Sequence, residues 1–324
     1  MNRNFKKCLI TGATGSGGSY LVEHLLKKDK NIKIFALYRS KGYLNLLKKK
    51  YKNNNIYFIK IDLKNFFQLK KITKDIRPDL VFHMASNADV RGSFDDPIDC
   101  TSNNNLITVN LLEAIRQIKI NPVVVICSTS EVYGSVTKKD IPISENQKIS
   151  PANPYAVSKT FQDLLSQVYF KSFSLRIIIT RMFSYINSRR NNLFQTAFAN
   201  QIAKIEIGKL KKLKHGNLKS IRTFLDIDDA MEAYWLAATK GRIGEVYNIG
   251  GNKIISVKQF LEELIKLAKC KIKLSVDKNL LRPQDVTLQI PNYKKFSKHT
   301  GWIPKVTFKE SVKRLLNECR KEHN

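Results

Sequence analysis

Three observations predict an α/β fold built on a doubly wound parallel sheet, with a smaller mixed α/β lobe towards the carboxyl terminus. Short apolar runs alternate with helix-length amphipathic segments over residues 1–181. A glycine-rich turn, TGATGSGG, lies directly between the first apolar run and the first helical pattern. Beyond Met182 the alternation loosens into loops, helices and short strand candidates, so residues 182–324 are read mainly as a substrate lobe, with some exchange of elements between the two parts.

Taken in order, the first strand is Cys8–Thr11, and the helical pattern Tyr20–Lys28 follows the turn. Gly12, Gly15 and Gly18 let the backbone bend sharply and approach a pyrophosphate, while the helix behind them offers free N–H groups and the positive end of its dipole. With Thr14, Ser16 and Gly17 they form a dinucleotide-binding turn. The second strand, Lys33–Leu37, ends in Tyr38, Arg39 and Ser40. An acidic residue at that point binds a ribose 2′-hydroxyl, whereas an arginine accommodates a 2′-phosphate. Arg39 therefore favours NADP over NAD, the alternative being a solvated surface charge.

The third strand, Ile56–Ile61, leads to Asp62 and Leu63, where the carboxylate either meets an adenine edge or caps a turn, and a helix runs over Phe66–Ile76. The fourth strand, Leu80–Met84, ends in Ala85, Ser86 and Asn87, small enough to let a cofactor lie against the sheet. His83 lies inside that strand without a second ligand at metal spacing and is read as structural. A helix over Asn103–Ile118 returns the chain to the strand Val123–Ser128. The helix containing Tyr155 and Lys159 continues to about Phe170, and Arg176–Arg181 is the next strand. Later candidates are helices Phe198–Ile207 and Ile227–Thr239 and strands Glu245–Ile249 and Ile272–Leu274.

Composition narrows the partners. Hydrophobic residues are 43% and charged residues 26% of the 324, the range of a globular protein. Lys and Arg number 57 against 27 Asp and Glu, a formal charge of +30. The excess is spread over surface-type stretches such as Lys48–Asn55 and Leu210–Lys219, with no helix-turn-helix, zinc-finger or RNA-binding motif, so no nucleic-acid partner is expected. Five scattered cysteines without CxxC spacing argue for reduced thiols, a cytoplasmic location and no metal site. No apolar run approaches the roughly 18 residues of a membrane span.

The chemistry is placed between Ser128 and Lys159. Tyr155 and Lys159, four residues apart on a helix, share one face, so the ammonium favours ionisation of the phenol, which then takes a proton from a sugar hydroxyl. Thr129, just past a strand's carboxyl end, supplies a hydroxyl to the same oxygen. Glu131 is either a second base or a cap on the following turn.

With these residues in place, the chain resembles the extended short-chain dehydrogenase/reductase family, a Rossmann-like fold, and within it the nucleotide-sugar epimerases and dehydratases. The resemblance spans nearly the whole chain: TGATGSGG, RPDLVFHMAS from Arg77, NLLEAIR from Asn110, STSEVYG, NPYAVSK, RPQDV and TGW. The stretch GSYLVEHLLKK, the triplet Thr129–Glu131 and NSRRN at 187–191 are similar to GDP-mannose 4,6-dehydratases. FANQIAKIEIG, HGNLKSIRTFLDIDDAMEAYW and GEVYNIGG are closer to GDP-4-keto-6-deoxymannose reductases.

The resemblance implies a GDP-linked sugar and an NAD(P) cofactor contacted by the turn residues, Arg39, Asp62, Leu63, Ala85, Tyr155 and Lys159. It implies that Tyr155 removes the O4 proton, Lys159 binds the nicotinamide ribose, Thr129 binds O4 and Glu131 removes the C5 proton before water leaves C6. Substrate contacts are implied at Asn87, Ser130, Arg189, Arg222 and Arg282, with Arg190 beside Arg189. A homodimer or homotetramer is implied as well. The chain departs from the pattern at Ser184, where Asn is usual, at Ile107, where Gly is common, at Thr223, where Asp is usual, and at 187–191, which lacks Pro and Gly. A pocket altered this way suits a larger GDP-sugar such as a heptose, or arrest after C4 oxidation. The expected activity is a GDP-sugar 4,6-dehydratase. The competing readings are a C4 dehydrogenase or 4-keto reductase, an epimerase, and a non-catalytic cofactor-binding protein.

Overall fold

The computed structural model describes residues 3–52, 55–281 and 285–323. Its centre is a sheet of seven parallel strands: β1 (Lys7–Thr11), β2 (Lys33–Tyr38), β3 (Ile56–Lys60), β4 (Leu80–His83), β5 (Val123–Thr129), β6 (Arg176–Met182) and a later strand, Val246–Ile249. Five shorter strands lie outside it: β7 (Leu213–His215) and β8 (Ile221–Thr223) precede Val246–Ile249, which is β9, and β10 (Ile254–Ser256), β11 (Leu274–Val276) and β12 (Leu288–Gln289) follow. The order across the main sheet is β3-β2-β1-β4-β5-β6-β9. The order reverses between β1 and β4, which opens a crevice at the strands' carboxyl ends.

Strand β5 shows why the sheet is buried on both sides. Val123 and Val125 point into one layer, against Leu21, Leu25, Ala230 and Tyr234 from the helices Ser16–Lys28 and Ile227–Lys240. Val124 and Ile126 point into the other, against Leu111, Ile115 and Tyr169 from the helices Pro97–Gln117 and Pro154–Phe173. This two-residue alternation with both faces apolar is the pattern of a covered parallel strand. Burying each such side chain contributes roughly 1.5–3 kcal/mol.

A second core, containing Phe198, Ile202, Phe260, Leu264, Leu315 and Leu316, holds the other lobe together. Strands β10, β8 and β12 form its three-stranded sheet, and β7 pairs with β11. Several expected bounds shift: the helices expected from Tyr20 and Phe198 begin a turn earlier, at Ser16 and Phe194. The helix expected from Asn103 begins at Pro97, because Asp96 caps it by accepting from the Asp99 N–H and Pro97 fits the first turn. The strand expected at Ile272–Leu274 lies at Leu274–Val276, where its partner β7 sets the register. The helices Val257–Lys266 and Phe308–His323 are additional to the sequence reading. No helix among the described residues is long and apolar enough to cross a membrane.

Candidate active site

A cleft of about 340 Å³ opens at the carboxyl ends of the sheet. One half is walled by the glycine turn. Gly12 has φ +68, and a Cβ there would stand 2.8 Å from the Ala85 Cα; a Cβ on Gly18 would stand 2.2 Å from the Gly12 carbonyl oxygen. The turn is closed by the Gly15 N–H donating to the Gly12 carbonyl at 3.0 Å. Gly15 is the cap residue of the helix Ser16–Lys28 and lacks a side chain to satisfy the first N–H groups, which leaves them for an anion. Arg39, Asp62, Leu63 and Ala85 line the same half. Arg39 donates to the Asn103 Oδ1 at 3.1 Å, and the Asp62 carboxylate accepts from the Lys64 N–H at 3.0 Å. Backbone approach, a helix start and a small-residue floor fit the diphosphate and flat rings of a dinucleotide.

The catalytic candidates meet at the middle of the cleft. Asn153 caps the helix Pro154–Phe173, accepting from the Ala156 N–H at 2.7 Å, and Pro154 occupies its first turn. That placement turns Tyr155 and Lys159 inward, both buried. Burial pushes the Tyr155 phenol up to about 12, against the pull of Arg190 and the Thr129 hydroxyl, while Glu131 and Tyr185 push the same way as burial. Burial also lowers Lys159 to about 8, partly opposed by Cys127 and Asp163. The positive group that pulls most on the phenol is thus Arg190, and burial raises the phenol where the sequence reading expected Lys159 to lower it. Beneath them, Asp163 pairs with Arg181 at 2.8 Å and accepts from the Ser128 hydroxyl at 3.1 Å, fixing the catalytic helix to β5 and β6.

Glu131 is buried in the other half. The turn after β5, Ser130–Tyr133, is capped by Thr129, whose Oγ1 accepts from the Glu131 N–H at 3.3 Å. The Glu131 carboxylate is therefore not the cap. One of its oxygens accepts from the Asn153 Nδ2 at 3.2 Å and the other from the Gln289 Nε2 at 3.0 Å. Arg222, on β8, lies 4.0 Å from Glu131 and 3.9 Å from Asp285.

Most of the predicted set converges on this cleft: Gly12, Thr14, Gly15, Ser16, Gly17, Gly18, Arg39, Asp62, Leu63, Ala85, Thr129, Ser130, Glu131, Tyr155, Lys159, Arg190 and Arg222 all line it. Two residues read as substrate contacts stand elsewhere. Arg189 pairs with Glu23 at 2.7 Å, donates to Ser19 and stacks 3.8 Å over the Tyr20 ring, so its guanidinium braces the first helix. Asn87 is drawn away by Asn104, which accepts its backbone N–H at 2.7 Å, and its side-chain amide donates to Asp99 at 3.2 Å. Arg282 lies outside the described residues. His83 is structural, held between the Thr11 and Thr108 hydroxyls, and burial drops it to about 3. Ile107 is buried at the cleft wall, and the Ser184 hydroxyl accepts from Gln195 at 2.8 Å.

Sequence reasoning missed Gln195, Tyr185 and Gln289, all of which line the cleft. The Gln195 Oε1 is buried without a hydrogen-bond partner. Asn153 could have been found, because an Asn before Pro is a recognisable helix start. Gln289 carries no local signal: it reaches Glu131 across 158 positions of chain.

A family model described as GDP-mannose 4,6 dehydratase matches residues 9–315. An uncharacterised protein of Methanocaldococcus jannaschii is 30% identical over 97% of this chain and 96% of its own. The GDP-6-deoxy-D-mannose reductase of Pseudomonas aeruginosa is 29% identical over 74% of this chain and 80% of its own. Among solved structures, dTDP-glucose 4,6-dehydratase from Bacillus anthracis in complex with NAD superposes with a TM-score of 0.84 at 26% identity, covering 98% of this chain and 97% of that one.

Proposed function

The chain belongs to the GDP-mannose 4,6 dehydratase family of extended short-chain dehydrogenases/reductases, and from that premise we propose that it is an NAD(P)-dependent GDP-sugar 4,6-dehydratase acting on GDP-mannose or a GDP-heptose. The observation that carries the reading is the Glu131 carboxylate, buried in the cleft and held at both oxygens by amide donors rather than spent on a turn. Such a group is oriented to act on a substrate atom. A nicotinamide cofactor held by the glycine turn, Asp62, Leu63 and Ala85 would supply a hydride acceptor for C4 and a donor for C6.

The residues divide the remaining work. Tyr155 takes the O4 proton, and Thr129 holds that oxygen in place. Lys159, protonated at neutral pH, presents its ammonium to the ribose and to the phenol. A ketone at C4 acidifies the C5 hydrogen, which Glu131 removes as a proton and passes to the C6 hydroxyl, so that the C6–O bond breaks with loss of water. Arg222 offers a guanidinium fork to the diphosphate. A net C4 oxidoreductase is the second reading, favoured by the 29% identity to a GDP-sugar reductase and by the fact that Tyr155, Thr129 and Lys159 suffice for it.

Mass spectrometry separates the two after incubation with GDP-mannose or a GDP-heptose, with and without NAD or NADP. The dehydratase gives a product lighter by one water without net cofactor consumption; loss of two hydrogens with stoichiometric cofactor reduction refutes it. The reading includes a cytoplasmic homodimer. Its location is supported by free thiols at all five cysteines. The dimer is supported by exposed Val157, Leu164 and Val168 on one helix and Ile98 and Leu106 on the helix packed beside it. Leu164→Glu is expected to yield monomers in sedimentation, and an unchanged wild-type monomer would remove the dimer.

A further inference from the structure

Arg222 and Glu131 are opposite charges buried in one cleft, yet their nearest atoms stand 4.0 Å apart. The amide of Gln289 lies between them. Its Nε2 donates to Glu131 at 3.0 Å, and its Oε1 accepts from the Arg222 Nη1. A second Arg222 nitrogen donates to the Val286 carbonyl at 2.9 Å. Gln289 belongs to β12 and Arg222 to β8, and the two residues are paired directly in register, so the sheet of the second lobe sets the amide's position.

We propose that Gln289 is a positioning residue that keeps the diphosphate-binding arginine and the catalytic carboxylate from collapsing into a direct ion pair. The inference rests on the roles proposed above for Arg222 and Glu131. A primary amide suits the task because it is neutral and presents a donor to the carboxylate and an acceptor to the guanidinium at the same time. With a side chain of similar length and no amide, the guanidinium closes on Glu131, since a buried carboxylate left short of donors draws the nearest cation. Both functions then suffer together. The fork turns away from the phosphates, and the base is held by a charge rather than by neutral donors.

The test is a double-mutant cycle read by calorimetric binding of GDP, UDP and dTDP to the full-length holoenzyme. Gln289→Met is expected to weaken nucleoside diphosphate binding about 10-fold. Adding Glu131→Gln to it removes the carboxylate that captures Arg222 and is expected to recover most of that loss, a rescue that a merely structural role for Gln289 would not give. With a turned-over GDP-sugar, Gln289→Met also lowers solvent deuterium incorporation at C5 more than it lowers cofactor reduction. Wild-type affinity in Gln289→Met, or a double variant as weak as the single one, overturns the inference while leaving the reading of Arg222 and Glu131 standing. A wild-type protein that binds none of the three nucleotides, or a Glu131→Gln variant that still releases water at the wild-type rate, sinks that reading and the inference with it.

Discussion

The cofactor half of the cleft is built from backbone, whereas the substrate half is built from long side chains that arrive from strands far apart in the sequence. In the first half the decisive quantities are distances at which a single methyl group no longer fits, such as 2.2 Å at Gly18 and 2.8 Å at Gly12. In the second they are hydrogen bonds between tips of side chains, Gln289 to Glu131 and Asn153 to Glu131. A backbone surface tolerates few residue types at each position, while a side-chain surface re-forms with different members. The same fold can thus keep one cofactor and change its substrate.

The sharpest way to break this contrast is to put a side chain where the backbone does the binding. Gly18→Ala is expected to lower NAD(P) affinity by more than about 100-fold and stability by about 1–3 kcal/mol, because the new methyl must displace the turn; equilibrium dialysis and thermal melts check both. Normal cofactor binding would show that the turn is not sterically set. On the other side, Arg222→Ala should raise the nucleotide-sugar KM by about 10- to 100-fold, matching the loss of charge-assisted hydrogen bonds worth about 1.5–3 kcal/mol. Cofactor affinity should stay within about 2-fold, and a parallel loss of both would merge the two halves.

A pH experiment probes the boundary between them. Lys159 has its folded value lowered by burial, from an ordinary 10.5 to about 8, so the unfolded chain binds the proton more tightly and stability contributed by this group rises with pH through that window. Lys159→Met is therefore expected to be more stable than wild type at pH 7, with the gap closing as pH rises from about 8 towards 10.5. A constant gap across denaturant melts would remove burial as the cause. The smallest effect is expected at Arg39. Its guanidinium is exposed and already shared with Asn103, so Arg39→Ser should reduce any preference for NADP over NAD by about 10-fold or less, measured as the ratio of the two kcat/KM values.

The same division explains what could be read in advance. Gly12, Gly15 and Gly18, the strand endings at Arg39, Asp62 and Ala85, and the pair Tyr155 and Lys159 all depend on local spacing, and all of them line the cleft. Glu131 was visible as a carboxylate in the right stretch, but its freedom from capping duty depended on Thr129 taking that role. Arg189 and Asn87 show the limit. Two adjacent arginines look alike in the sequence, and only packing against Tyr20 and Glu23 separates the one that braces a helix from its neighbour in the cleft. Gln289 lies on a two-residue strand whose neighbours give it no periodic signature.

The last strand of the main sheet, β9, comes from the carboxyl-terminal half and pairs with β6 from Ile179 opposite Val246 to Met182 opposite Ile249. The helix Ile227–Lys240 likewise covers Ile10 and Val125 with Ala230, Ala233 and Tyr234. Cutting the chain after Met182 would leave β6 as an open edge and strip one face of the sheet of its apolar cover. The two lobes are therefore one thermodynamic unit. Unfolding should proceed as a single calorimetric transition, and a substrate that tightens the second lobe should raise the melting temperature of the nucleotide-binding sheet by the same amount.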